Sequence, residues 1–267
     1  MSLGESGKPL TYSSYLKLDE LLDLQKPLSE GPEHDETLFI VIHQIYELWF
    51  KQINHEVDHA RDSLEADQAE VALATFKRIL TILKIMVSQV DVLETMTPVS
   101  FSSFRARLES ASGFQSAQFR EFEFRLGLKK RAMVKHHPAN TPGGKRLREL
   151  LDRPTIYDSF LRFLAGRGYA VPKELLARDF SEPIPESETL QEVLIDIYKN
   201  DHLCSTVCER LVDLDEGLQE WRYRHLKMVE RTIGSKPGTG GSEGVAYLKA
   251  TLFQPLFPDL WAIRNRL

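Results

Sequence analysis

The 267-residue chain contains only two cysteines. Two thiols cannot build a disulfide framework, so a reducing compartment fits and a cytoplasmic protein is expected. Positive charge is not in excess either: 34 Lys and Arg stand against 39 Asp and Glu, a net charge of −5. A surface of that balance repels phosphate, which argues against nucleic acid as a partner. No apolar run approaches the roughly 20 residues that a membrane helix needs, so no membrane partner is expected. Residues 1–9 lack the charged-then-apolar order of a secretory leader. Gly4, Gly7 and Pro9 among small polar residues predict a flexible tail there. Two-residue alternation is nearly absent, and fixed-period repeats and low-complexity stretches are absent altogether, which leaves little room for sheets. What the chain does have is apolar material, 42% of its residues. That is enough to offset ordering entropy, so disorder is excluded for most of the length.

The apolar residues are spaced for helices. Tyr12, Tyr15, Leu16 and Leu18 predict a short helix before the breaks at Pro27 and Pro32. Leu38, Ile42, Ile45, Trp49, Ile53, Val57, Ala60 and Leu64 step by three or four. The first half of that helix is apolar on nearly every side, which predicts burial from all directions. Residues 69–93 form a second long helix. Thr97 is a good N-cap and Pro98 a good first residue for a helix carrying Phe101, Phe104 and Arg105. Ser112 and Gly113 interrupt before a helix over 115–126. Residues 129–144 read as a basic loop and 171–185 as irregular, with short helices over 145–151, 156–165 and 189–200. A last long helix over about 203–233 is stopped by Gly234 and leads into a glycine-rich loop ending at Gly244. The fold class is all-α: residues 10–267 as one helical-bundle domain with an irregular Gly-rich C-terminal loop, residues 1–9 as a tail.

Several groupings could carry chemistry. His55-Glu56-Val57-Asp58-His59 is an H-E-x-x-H, the pattern of a zinc hydrolase with Glu56 as base. The plainer reading places these polar residues on the solvated side of a helix that buries Ile53, Val57 and Ala60. His202, Cys204 and Cys208 cluster without an evident fourth ligand, and small thiols commonly pack in helical cores. His43 lies among Phe39, Ile42, Tyr46 and Phe50. It is either a satisfied core histidine or a neutral imidazole kept for a substrate hydrogen bond. His225 continues the stripe of Leu218, Trp221 and Met228. Taken alone it fits a core position, though one inward histidine is also what a non-covalent haem needs as proximal ligand. Phe101 and Arg105 share a face, and Arg105 could clamp a carboxylate. The Gly234–Gly244 loop lacks a Gly-Lys-Ser/Thr ending and follows a helix, so it is neither a P-loop nor a Rossmann turn. It reads as backbone able to approach a ligand closely.

Seven stretches taken together resemble the tryptophan 2,3-dioxygenases. They are Leu10-Thr-Tyr-Ser-Ser-Tyr-Leu-Lys-Leu18, Leu38-Phe-Ile-Val-Ile-His-Gln-Ile-Tyr-Glu-Leu-Trp-Phe50, Leu93-Glu-Thr-Met-Thr-Pro98, Phe104-Arg105, Ser112-Gly-Phe-Gln-Ser116, Trp221-Arg-Tyr-Arg-His225 and Ile233-Gly-Ser-Lys-Pro-Gly-Thr-Gly-Gly-Ser242. They run in order along nearly the whole chain. The resemblance implies an all-α homotetrameric enzyme with haem b, ferrous when active. It would add both atoms of O2 across the indole C2–C3 bond of L-tryptophan, the first step of the kynurenine pathway. It further implies that His225 is the proximal iron ligand and His43 the residue facing the indole N–H. Arg105 then binds the substrate carboxylate and Thr239 the ammonium, while Phe39 and Phe101 wall the indole. Tyr12, Tyr15 and Leu16 are implied to come from a neighbouring subunit. Glu243 departs from the small hydroxyl residue expected there, which keeps a same-fold enzyme for a modified tryptophan as the alternative. A non-catalytic haem or indole sensor is a further one.

Overall fold

The computed structural model describes residues 9–31, 33–239 and 244–267. Among them the chain is helical, with no strand. Two short helices, α1 (Tyr12–Leu16) and α2 (Leu18–Leu22), precede the long α3 (His34–Glu65) and α4 (Ala69–Leu93). α5 (Pro98–Arg105), α6 (Ala117–Leu126), α7 (Arg131–Val134), α8 (Pro142–Leu151), α9 (Ile156–Gly166) and α10 (Lys173–Leu176) follow. α11 (Glu188–Asn200), the long α12 (His202–Ile233), α13 (Val245–Lys249) and α14 (Pro258–Ala262) complete the order. No described helix is long and apolar enough to cross a membrane.

Three long helices make the frame. α4 packs against both α3 and α12, and α6 and α9 cover α3 from its other side. The helical spacing delivers the core: Ile53, Val57, Ala60 and Leu64 of α3, Phe76, Ile79, Leu83 and Met86 of α4, and Leu211, Leu214 and Leu218 of α12 are all buried. Gly217 lets α12 come close to α4, because a Cβ there would lie 3.2 Å from Leu83 Cδ1. A second, smaller cluster of Ile42, Leu93, Met96, Phe101 and Phe104 sits where the start of α3, the end of α4, and α5 meet.

Local chemistry sets several boundaries as the sequence predicts. Thr97 Oγ1 accepts from the Ser100 N–H, with Pro98 as the first residue of α5. Gly234 ends α12 at a φ of +62°. Three expectations need correction. Within the 171–185 stretch expected to be irregular, Lys173–Leu176 form the single turn of α10, held by buried Leu175. The 129–144 segment is not simply a loop. Thr141 caps the Gly144 N–H with Pro142 at the first helical position, so α8 starts early, and buried Met133 and Val134 hold the single turn of α7. Nor is the first half of α3 buried on all sides. Leu48 is 52% exposed, beside half-exposed Ile45 and Trp49. The tail over residues 1–8 lies outside the described residues.

Candidate active site

The end of the bundle around the smaller cluster encloses a cavity of about 260 Å³. α3 contributes Phe39 and His43, α5 contributes Phe101 and Arg105, and α12 contributes Trp221 and His225. Thr239 reaches it from the glycine-rich loop. Six of the nine residues implied by the resemblance outside the N-terminal segment or within it thus meet around one space: Phe39, His43, Phe101, Arg105, Thr239 and His225. Tyr12, Tyr15 and Leu16 do not line it. They are exposed on their own chain, the two tyrosines by 75% and 73%.

His43 is fixed in one tautomer. Its Nδ1–H donates to the Phe39 carbonyl, one helical turn back, at 2.7 Å. A carbonyl can only accept, so Nδ1 carries the proton of the neutral ring and Nε2 is left as an acceptor. Burial pushes the imidazole below its usual titration range, against smaller opposing effects of the Phe39 hydrogen bond and Glu47. The ring of Phe39 lies 4.0 Å from that of His43, centroid to centroid, and 5.8 Å from Phe101. Phe39 and Phe101, tilted 35° to each other, make an apolar wall beside a single acceptor.

His225 differs in kind. Its ring stacks on Trp221, one turn earlier, with centroids 5.2 Å apart and planes within 2°. None of the described residues gives its imidazole a hydrogen bond. Burial, then repulsion from His43 and Arg120, lowers its pKa to about 4, so a lone pair is available at neutral pH. Trp221 is itself fixed by Phe50, edge-on at 5.8 Å, and by Phe119 at 4.9 Å. Tyr46 donates its hydroxyl hydrogen to the Met86 carbonyl at 2.8 Å, and burial raises its pKa to about 12.

Arg105 and Thr239 stitch the glycine-rich loop to the helical body. Arg105 Nη2 donates to the Pro237 carbonyl at 2.7 Å, which engages one of the five N–H donors of a guanidinium. Thr239 Oγ1 donates to the Ala111 carbonyl at 2.6 Å, which leaves its oxygen lone pairs as acceptors. One group therefore offers spare donors and the other spare acceptors, the complement of a carboxylate and an ammonium. The loop folds back tightly at Gly244, where a Cβ would lie 2.9 Å from the Lys236 carbonyl oxygen. Glu243 lies outside the described residues.

The competing motifs are placed elsewhere. His55 and His59 are exposed, but Glu56 between them is buried. Its carboxylate accepts from Arg78 at 2.9 Å and from Gln52 at 2.6 Å, so it is not a free base. Cys204 and Cys208 are buried and burial raises both thiols, Cys204 to about 12, which keeps them protonated while His202 stays at the surface. Reading the sequence missed one feature of the wall, the buried Arg120, Glu123 and Arg222. A charged pair three apart in the Phe-rich α6 was the available signal.

The sequence model of the tryptophan 2,3-dioxygenases matches residues 2–154 and 186–267. The chain belongs to the tryptophan 2,3-dioxygenase family. It is 59% identical over 255 residues to the tryptophan 2,3-dioxygenase of Herpetosiphon aurantiacus, covering 96% of this chain and 97% of that one. It is 58% identical over 260 residues to that of Anaeromyxobacter sp. strain K, with 97% and 96% covered. The corresponding protein of Caulobacter vibrioides is 42% identical over 261 residues, with 97% and 98% covered. The unmatched stretch, 155–185, holds α9 and α10 and contributes no residue to the cavity lining.

Proposed function

We propose that this cavity is an active site where the chain oxidises L-tryptophan with dioxygen, both oxygen atoms adding across the indole C2–C3 bond to give N-formyl-L-kynurenine. One observation carries the reading. Two half-buried histidines of opposite character, one locked as an acceptor and one unpartnered among the described residues, open into a single aromatic-walled cavity that also meets Arg105 and Thr239.

The family is haem-dependent, and the donor set fits that group. His225 is a neutral, half-buried imidazole without a hydrogen-bond partner among the described residues, stacked on Trp221, and would hold the haem iron. The haem would be b-type, since the chain has no C-x-x-C-H for covalent attachment, and the family resemblance implies ferrous iron in the working state. When bound, it supplies the dioxygen activation that no amino-acid side chain can supply. The protein's own work is positioning. His43 Nε2 accepts from the indole N–H and so fixes the ring's rotation in its plane. Phe39 and Phe101 hold the plane itself and keep water out. Arg105 pairs with the carboxylate, and Thr239 accepts from the ammonium. Orienting both ends of a zwitterion freezes the indole for attack at its C2–C3 edge.

The same reading extends to assembly. We take residues 10–267 as one domain and the enzyme as a homotetramer. No residue of α1 or α2 is buried, and five-residue helices are not stable alone. Exposed Tyr12, Tyr15 and Leu16 suit a role as an aromatic cover for a neighbouring cavity, and exposed Leu48 suits burial against another subunit.

Oxygen consumption with L-tryptophan tests the site. His43→Ser should slow kcat/KM by about 10- to 100-fold, the loss of one positioning hydrogen bond rather than of an obligatory base. 1-Methyltryptophan, which lacks the N–H donor, should be a poor substrate for the unaltered enzyme. Equal turnover of the two substrates would remove His43 from its assigned role.

A further inference from the structure

The cavity wall carries charges that tryptophan binding does not use. Arg120 and Glu123 of α6 and Arg222 of α12 are 5%, 6% and 6% exposed. Glu123 is shared: one oxygen accepts from Arg120 Nη1, the other from Arg222 Nη2 at 2.5 Å. Arg222 Nη1 is satisfied by the Thr251 carbonyl at 3.0 Å. Arg120 is not satisfied. Its Nε is buried without a partner, and its one hydrogen bond among the described residues is to Glu123. Phe114 and Phe119 flank its guanidinium at 5.5 and 5.1 Å.

Two buried cations thus share one carboxylate. The other carboxylate on the cavity wall among the described residues, Glu47, accepts from Gln118 Nε2 at 3.1 Å. His137 adds no compensation. It is buried, and burial and repulsion from Arg120 lower its pKa. A buried charge without a partner is costly, and a guanidinium with free donors is shaped to take a carboxylate. The cavity is where that carboxylate would enter.

We propose that Arg120, braced by Glu123 and Arg222, anchors a carboxylate of the cavity's occupant, and that this carboxylate is a propionate of the porphyrin. The inference rests on the haem reading given above. The carboxylate of the amino-acid substrate is the other source of the same chemistry. Placement favours the porphyrin. Arg222 lies one turn before His225, and Phe119, next to Arg120, packs against the Trp221 that stacks on His225. The Arg105 and Thr239 pair already complements the substrate's zwitterion.

The test uses full-length protein isolated with little haem and titrated with hemin or hemin dimethyl ester, read at the Soret band. The unaltered chain should bind hemin about 10- to 100-fold more tightly than the uncharged diester. Arg120→Gln should lose that preference while keeping its affinity for the diester, and Arg120→Lys should recover part of it. If Arg120→Gln keeps the preference, or weakens both porphyrins equally as general damage would, the anchor is overturned. A parallel arm compares tryptophan with tryptamine binding to the haem-loaded variant. Loss of the tryptophan preference there, with the hemin preference intact, would assign Arg120 to the substrate and overturn the propionate. If the unaltered chain takes up neither porphyrin, the haem reading itself falls and this inference with it.

Discussion

Replacing His225 with alanine is expected to abolish haem retention, or to shift the Soret band strongly where some haem remains. The effect should be large because the assignment gives the iron a single protein ligand. His225 makes no hydrogen bond to a described residue and lies at the cavity rather than in the main core. The helices should therefore survive the change, and circular dichroism should be nearly unaltered. Imidazole added to the variant should restore part of the axial signature, because the space vacated is that of the lost ring. Haem content and spectrum equal to those of the unaltered protein would show that the iron is held elsewhere.

Removing residues 1–18 is expected to raise the KM for tryptophan and weaken the oligomer, with haem binding retained. The reasoning starts from exposure. α1 and α2 bury nothing on their own chain, and Leu22, Leu24 and Leu28 continue the exposed apolar series toward α3. The segment is tied to the body at its far end, where the buried Glu36 carboxylate accepts the backbone N–H groups of Leu28 and Ser29 at 2.7 and 3.0 Å. An arm fixed at its root and bare along its length is suited to reach a second subunit. Mixed oligomers give the decisive form of the experiment. A Tyr12→Ala/Tyr15→Ala chain combined with an Arg105→Leu chain should regain activity that neither has alone. Some cavities would then receive an intact Arg105 from one chain and intact tyrosines from another. A fully active truncated monomer, or no recovery on mixing, would return the arm to its own chain.

The contrast between what could and could not be read in the sequence follows the range of the interactions. The start of α5 was legible because its cap is local: Thr97 meets the Ser100 N–H three residues on, with Pro98 in between. The ends of α4 and α12 were legible for similar reasons. Periodicity marked the apolar faces of α3 but not what covers them, so Leu48 was expected to be buried and is exposed. The 129–144 segment misled because its basic composition hid a cap at Thr141 and two buried apolar residues. Around the cavity, the residue types at 43, 105, 225 and 239 were visible, and the family resemblance suggested their roles. Their protonation and pairing were not visible. The acceptor state of His43 comes from a carbonyl one turn away, and that of Thr239 from Ala111, 128 residues distant. The charge surplus at Arg120 required knowing that Arg222, 99 residues from Glu123, shares its carboxylate. Local spacing carries no trace of such pairings.

The measurement that bears most directly on the proposed chemistry is the mass of the product formed from L-tryptophan under isotopically labelled dioxygen. The reduced, haem-loaded chain is predicted to give N-formyl-L-kynurenine with both oxygen atoms of one O2 molecule incorporated. A product carrying a single labelled oxygen, or unchanged L-tryptophan beside a turned-over derivative, would contradict the account.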